Sequence, residues 1–175
     1  MNRRHFVILV VWMCLLTVVV SGCRPDQLSP TFSYEACQDI DNVKQIEICT
    51  YQDGRPVGTL GTITPLILLT NEQIHSFWED IHGLKCKETM LFDTPTGYGD
   101  IIFLITYQDG EKEIISLQWI GHIAADGYHT ETLKYFDPIE LSKVFAKYGD
   151  PALLAEKSEF FSHYWNLAEE ESNKT

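Results

Sequence analysis

Hydrophobic and polar positions along the chain change period several times, and each change predicts an element. Val43 to Tyr51 (VKQIEICTY) alternates in places and runs into Gln52-Asp53-Gly54, a turn sequence, so it reads as a strand. Thr59 to Leu69 (TLGTITPLILL) is rich in β-branched residues and leucine, and Pro65 places it at a sheet edge, where a missing amide does least harm. The period then becomes helical. Ile74, Phe77, Trp78 and Ile81 fall at i, i+3, i+4 and i+7, with Thr70 as a capping residue before them, Glu72 in the first turn and Gly83 at the end.

Strand patterns return after this helix. Cys86 to Phe92 reads as a short strand, and Asp100 to Tyr107 (DIIFLITY) and Glu113 to Ile120 (EIISLQWI) flank Gln108-Asp109-Gly110-Glu111-Lys112. That is the clearest hairpin in the chain, because Asp-Gly tolerates the positive φ that tight turns demand. Tyr128 to Tyr135 adds another strand. Asp137-Pro138 opens a second helix with Ile139, Leu141, Val144, Phe145 and Tyr148 as apolar members and Gly149 past its end. Asp150-Pro151 repeats the same opening for a third helix of about 15–20 residues. Hairpins dominate, so the predicted fold class is α+β: a single domain with a largely antiparallel sheet and two to three helices packed on one face.

One short echo runs through this pattern. Thr50-Tyr51-Gln52-Asp53-Gly54 recurs letter for letter as Thr106-Tyr107-Gln108-Asp109-Gly110. The flanks match poorly, so the reading preferred is two independent hairpins rather than a duplicated unit.

Charge narrows the function classes. The 175 residues carry 25 acidic and 13 basic side chains, a net charge of −12. A nucleic-acid binder needs a basic patch to displace the counterions of phosphates, so that class is set aside. The length fits one domain.

The first 22 residues have the layout of an export signal. Arg3 and Arg4 precede an apolar run of 15 residues, Phe6 to Val20, which is shorter than the roughly 20 that span a bilayer. Val20-Ser21-Gly22-Cys23 follows, and it resembles the lipobox of bacterial lipoproteins. The resemblance covers about 23 residues and implies that residues 1–22 are a signal peptide removed on export. It also implies that Cys23 becomes the N-terminus with a diacylglyceryl group on its sulfur, with no other cofactor. Two acyl chains suffice for stable anchoring. The expected location is then the extracytoplasmic face of a bacterial cell membrane. Beyond the lipobox, the Tyr-x-Asp-Gly hairpins and Tyr135-Phe136-Asp137-Pro138 look like those of small lipoproteins of Gram-positive bacteria; such turn and cap motifs imply a fold and not an activity.

Processing would change both charge and cysteine count. Arg3 and Arg4 leave and no acid does, so 11 basic residues face 25 acidic ones, a side-chain charge of −14. Such a domain is repelled by anionic headgroups. Arg24 to Ser33 (RPDQLSPTFS) reads as a tether reaching about 33 Å when extended. The expected division is therefore a lipidated N-terminus and tether over 23–33, one domain over 34–168, and a polar tail over 169–175. Cys37, Cys49 and Cys86 remain, compatible with one bridge plus a thiol or with three thiols. There is no CxxC, and the spacing matches no common zinc pattern.

Candidate chemistry in the body of the chain is sparse. His122 and His129 flank Asp126, and a loop that folds back would bring two imidazoles and a carboxylate to one divalent metal; solvated loop histidines are the plainer reading. Tyr98, between two glycines in Thr94 to Asp100, is a candidate ligand-contacting aromatic in what is otherwise a β-connection. No GxSxG, HExxH or catalytic-cysteine signature occurs, which leans the reading away from an enzyme. The third helix carries Phe161, Tyr164 and Trp165 on a wide aromatic face. Such a face usually packs on its own sheet, and if exposed it would suit a protein partner at the cell surface. The function expected is a membrane-tethered, non-catalytic protein-interaction lipoprotein, with a small-ligand or metal-binding accessory lipoprotein as the alternative.

Overall fold

The computed structural model describes residues 31–52, 61–88, 100–132 and 134–174. The chain enters through β1 (Thr31–Ser33) and a 3-10 turn (Ile40–Asn42), then lays down β2 (Val43–Gln52) and β3 (Thr62–Leu68). Helix α1 (Asn71–Gly83), β4 (Lys85–Glu88), β5 (Asp100–Tyr107), β6 (Lys112–Ser116), β7 (Ile120–Ile123), β8 (His129–Thr132) and β9 (Lys134–Phe136) follow. Three helices close the fold: α2 (Pro138–Tyr148), α3 (Pro151–Lys157) and α4 (Glu159–Ser172).

Six strands form one antiparallel sheet in the order β3-β2-β5-β6-β7-β8, and β1-β4-β9 form a second, three-stranded antiparallel sheet. The fold is thus α+β. β5 is central because every one of its eight residues is buried. Ile101, Phe103, Ile105 and Tyr107 join the main core beneath the helices, whereas Ile102 and Leu104 join Cys49, Tyr51, Ile114 and Ile123 in a second cluster that contains no helical residue. A strand buried on both faces has no reason to alternate, which is why DIIFLITY reads as a continuous apolar run.

The helices meet the sheet through aromatic rings. Phe145 of α2 stacks on Phe103 at 4.0 Å between centroids and meets Phe161 of α4 edge-on at 6.3 Å; Phe77 of α1 lies 4.6 Å from Phe103. Thr70 and Gln73 form the capping box that starts α1, and Asp137 and Asp150 cap α2 and α3 ahead of the prolines. A Cβ at Gly149 would come within 2.8 Å of Leu154 Cδ1 and 3.1 Å of Ile48 Cδ1, so the turn between α2 and α3 lies close against α3 and the sheet, and a larger residue there would have to displace the ends of these side chains.

Several boundaries differ from those the sequence predicts. The third helix breaks at Ser158, which is extended (φ −144°, ψ 114°) and caps α4 by accepting the Phe161 amide. The strand expected over 113–120 ends at Ser116, whose hydroxyl accepts the Gln118 and Trp119 amides and turns the chain into β7. The stretch 128–135 is shared between β8 and β9, which belong to different sheets. Thr31–Ser33, expected in the tether, pair with β4, and α4 runs on to Ser172, into the expected tail. Pro65 does lie in an edge strand, β3.

Phe145→Ala removes the ring between sheet and α4 and is expected to destabilise the domain by about 3–5 kcal/mol in urea unfolding. A loss below about 1 kcal/mol would show that the helix layer does not depend on this contact.

Candidate functional site

The alternation of β6 puts Glu113 on the same face as Ile115, into the main core, where a carboxyl group needs partners. Glu113 is 1% exposed. Tyr34 Oη donates to its Oε1 at 2.7 Å, Tyr107 Oη donates to its Oε2 at 2.8 Å, and the Cys37 amide donates to Oε2 at 3.2 Å. Three donors from two segments, the entrance 34–37 and the end of β5, therefore converge on one acid. Burial, and then the charge of Glu113, raise the pKa of both phenols, so Tyr34 and Tyr107 remain donors. The Tyr34 ring packs 5.1 Å from Phe136 and 5.5 Å from His82, which ties this acid to the smaller sheet and to α1.

Above this buried group lies a polar surface. Cys37 is exposed, and partial desolvation together with the Glu113 charge pushes its thiol up to about 12. Gln38 Nε2 donates to Asp109 at 2.7 Å and to Glu111 at 3.1 Å, and His122 Nε2 lies 3.3 Å from Glu111 Oε2. The cluster binds the chain entrance to the β5–β6 hairpin. Its donors and acceptors are used on one another, and its thiol is held in its least nucleophilic form, which fits a clasp better than a reaction centre.

The predicted site residues are dispersed. Phe161 is fully buried between Phe145 and Trp165, so this residue offers no surface to a partner; its ring belongs to the core. Tyr164 and Trp165 are half-buried. His122 pairs with Glu111, while Asp126 accepts the Tyr128 amide at 3.0 Å in its own turn, so these two face different partners; the side chain of His129 lies outside the described residues. Among the described residues no group of three His, Cys, Asp or Glu side chains is placed to hold a metal. Tyr98 and Cys23 lie outside the described residues. Cys37, Cys49 and Cys86 are thiols, the last two buried.

One open groove of about 480 Å³ lies between α2 and α4, with Trp165 and Ala168 on one side and Lys143, Ala146 and Lys147 on the other. Lys147 is held by Asp80 of α1 at 2.6 Å, and Lys143 by Glu140 at 2.7 Å. The groove thus offers a half-buried indole inside a rim of paired charges.

No family model, no curated protein and no solved structure matches the chain. The resemblances of its short motifs therefore stand on the residues alone.

The signal for the Glu113 clasp is present in the sequence: an acid occupies a position in phase with the inward Ile115 and Leu117. Its partners, Tyr34 and Tyr107, are 79 and 6 residues away, and no local pattern connects them.

Two outcomes are expected. Tyr34→Phe removes a hydrogen bond to a charged group and lowers stability by about 1.5–3 kcal/mol in urea unfolding; no change would mean that the clasp is not formed. Cys37 alkylates with iodoacetamide at pH 8 on the order of a hundredfold more slowly than an ordinary exposed thiol. Its rate rises as pH rises toward about 12, and Glu113→Gln speeds it at fixed pH. Ordinary reactivity at Cys37, located by peptide mass spectrometry, would contradict the geometry.

Proposed function

We propose that this chain is a lipid-anchored binding domain on the extracytoplasmic face of a bacterial membrane, acting by contact with another envelope protein. The observation that carries the anchor is Val20-Ser21-Gly22-Cys23, eight residues before β1 begins at Thr31. Lipidation at Cys23 would leave seven residues, at most about 25 Å of chain, between membrane and fold. The strongly acidic domain would be repelled by anionic lipid and so present its surfaces to other proteins. Among the described residues no helix is long and apolar enough to cross a membrane.

The contact surface is the groove between α2 and α4. Trp165 supplies large apolar area and a polar N–H, and the lysines and acids around it make a mixed rim, the composition that favours protein partners. The partner chemistry this implies is a polypeptide segment with an apolar anchor flanked by charges of either sign.

Two measurements test this reading separately. Cys23→Ala is expected to move the protein from the detergent phase to the aqueous phase on Triton X-114 separation, or to leave it unprocessed; unchanged partitioning of a cleaved form would remove the lipid anchor. A photo-crosslinking amino acid at position 165 in intact membranes is expected to give a discrete adduct that the same group at the exposed position 128 does not. Equal patterns at the two positions would remove the groove.

A further inference from the structure

The start of the central strand holds an acid without adequate partners. Asp100 opens β5 and is 5% exposed. Its Oδ1 accepts from the Ile101 amide at 2.8 Å and meets the Ser158 hydroxyl at 3.5 Å, a long and weak contact. Its Oδ2 has no hydrogen-bond partner among the described residues. Ser158 is the residue at which the helix layer breaks, ending α3 and capping α4. Asp100 therefore sits at the joint between the sheet and the last two helices.

Among the described residues the groups that face it are few. β6 contributes Ser116, the α3–α4 joint contributes Ser158, and Tyr51 of β2 stands directly opposite in the ladder. Among the described residues no charged side chain influences its carboxyl group; the Ile101 amide and the Ser158 and Ser116 hydroxyls favour the ionised form, and burial outweighs them. A buried carboxylate with one unsatisfied oxygen is penalised, whereas a protonated one is a neutral group of the same shape.

We propose that Asp100 is a pH-responsive joint: in its protonated form it closes β5 against the α3–α4 junction, and its ionisation loosens that junction and lowers the stability of the domain. This inference is independent of the anchor and of the groove.

Burial pushes the Asp100 carboxyl up to about 7, from an ordinary value of 3.8. The folded chain thus holds a proton between these two values that the unfolded chain has released. Stability from this residue is greatest in acid, declines as pH rises from about 4 to about 7, and is level above that. The fall is about tenfold in the folding equilibrium constant per pH unit, on the order of a hundredfold between pH 5 and pH 8.

The test is urea unfolding of the full chain in detergent, wild type against Asp100→Asn, at pH 5 and pH 8. The asparagine variant keeps the shape, cannot ionise, and cancels the contribution of all other carboxyl groups in the comparison. The folding constant of wild type relative to the variant is expected to fall about a hundredfold from pH 5 to pH 8; a ratio unchanged between the two would overturn the proposal. If the variant does not fold, the carboxyl carbon of Asp100 is followed by NMR in the wild type. A midpoint near 7 supports the joint and one near 4 overturns it.

Discussion

Burial of β5 on both faces is the constraint on which the rest of the structure depends. Its eight buried residues require a neighbouring strand along each edge and apolar surroundings on both faces. The helix layer answers on one side through Phe77, Phe145 and Phe161, and the second cluster, with Cys49, Tyr51, Ile114 and Ile123, lies on the other. Burial on this scale is also what makes any acid placed beside the strand consequential, since the interior offers little water to replace a missing partner.

Two such acids stand toward the two ends of this strand and are handled in opposite ways. Glu113, opposite Ile105, has three donors from Tyr34, Tyr107 and the Cys37 amide, and it ties the chain entrance to the core. Asp100, at the other end, has one good hydrogen bond and an oxygen with none among the described residues. The first is a fixed structural clasp. The second couples sheet and helices in a way that depends on a proton.

Much of the fold was legible in local sequence because its determinants are local. The stripe Ile74, Phe77 and Ile81, the Thr70 cap, the Asp-Pro helix starts and the Asp109-Gly110 turn, where Gly110 has φ +91°, each specify their element without help from elsewhere. What local pattern could not show were features made by tertiary contact. Ser158 breaks a continuous helical pattern beside Asp100, and Ser116 turns the chain with its side chain in the middle of an apolar run. The repeated Thr-Tyr-Gln-Asp-Gly shows the same limit: Tyr107 lies in the helix-side core and Tyr51 in the cluster on the opposite face, so identical letters serve two environments. Of the candidate site, the aromatic helix was legible but its division was not. Phe161 packs inward, and Trp165, four residues on, keeps part of its ring in the groove.

The proposal of a binding domain held at a membrane rests on a strongly acidic chain, a groove around one indole and a cysteine eight residues before β1. The most direct measurement is the intact mass of the protein extracted from its own membranes. A chain that begins at Cys23 and carries the added mass of a diacylglyceryl group is the predicted result. A chain that retains residues 1–22, or one that begins at residue 23 with an unmodified thiol, would contradict the account.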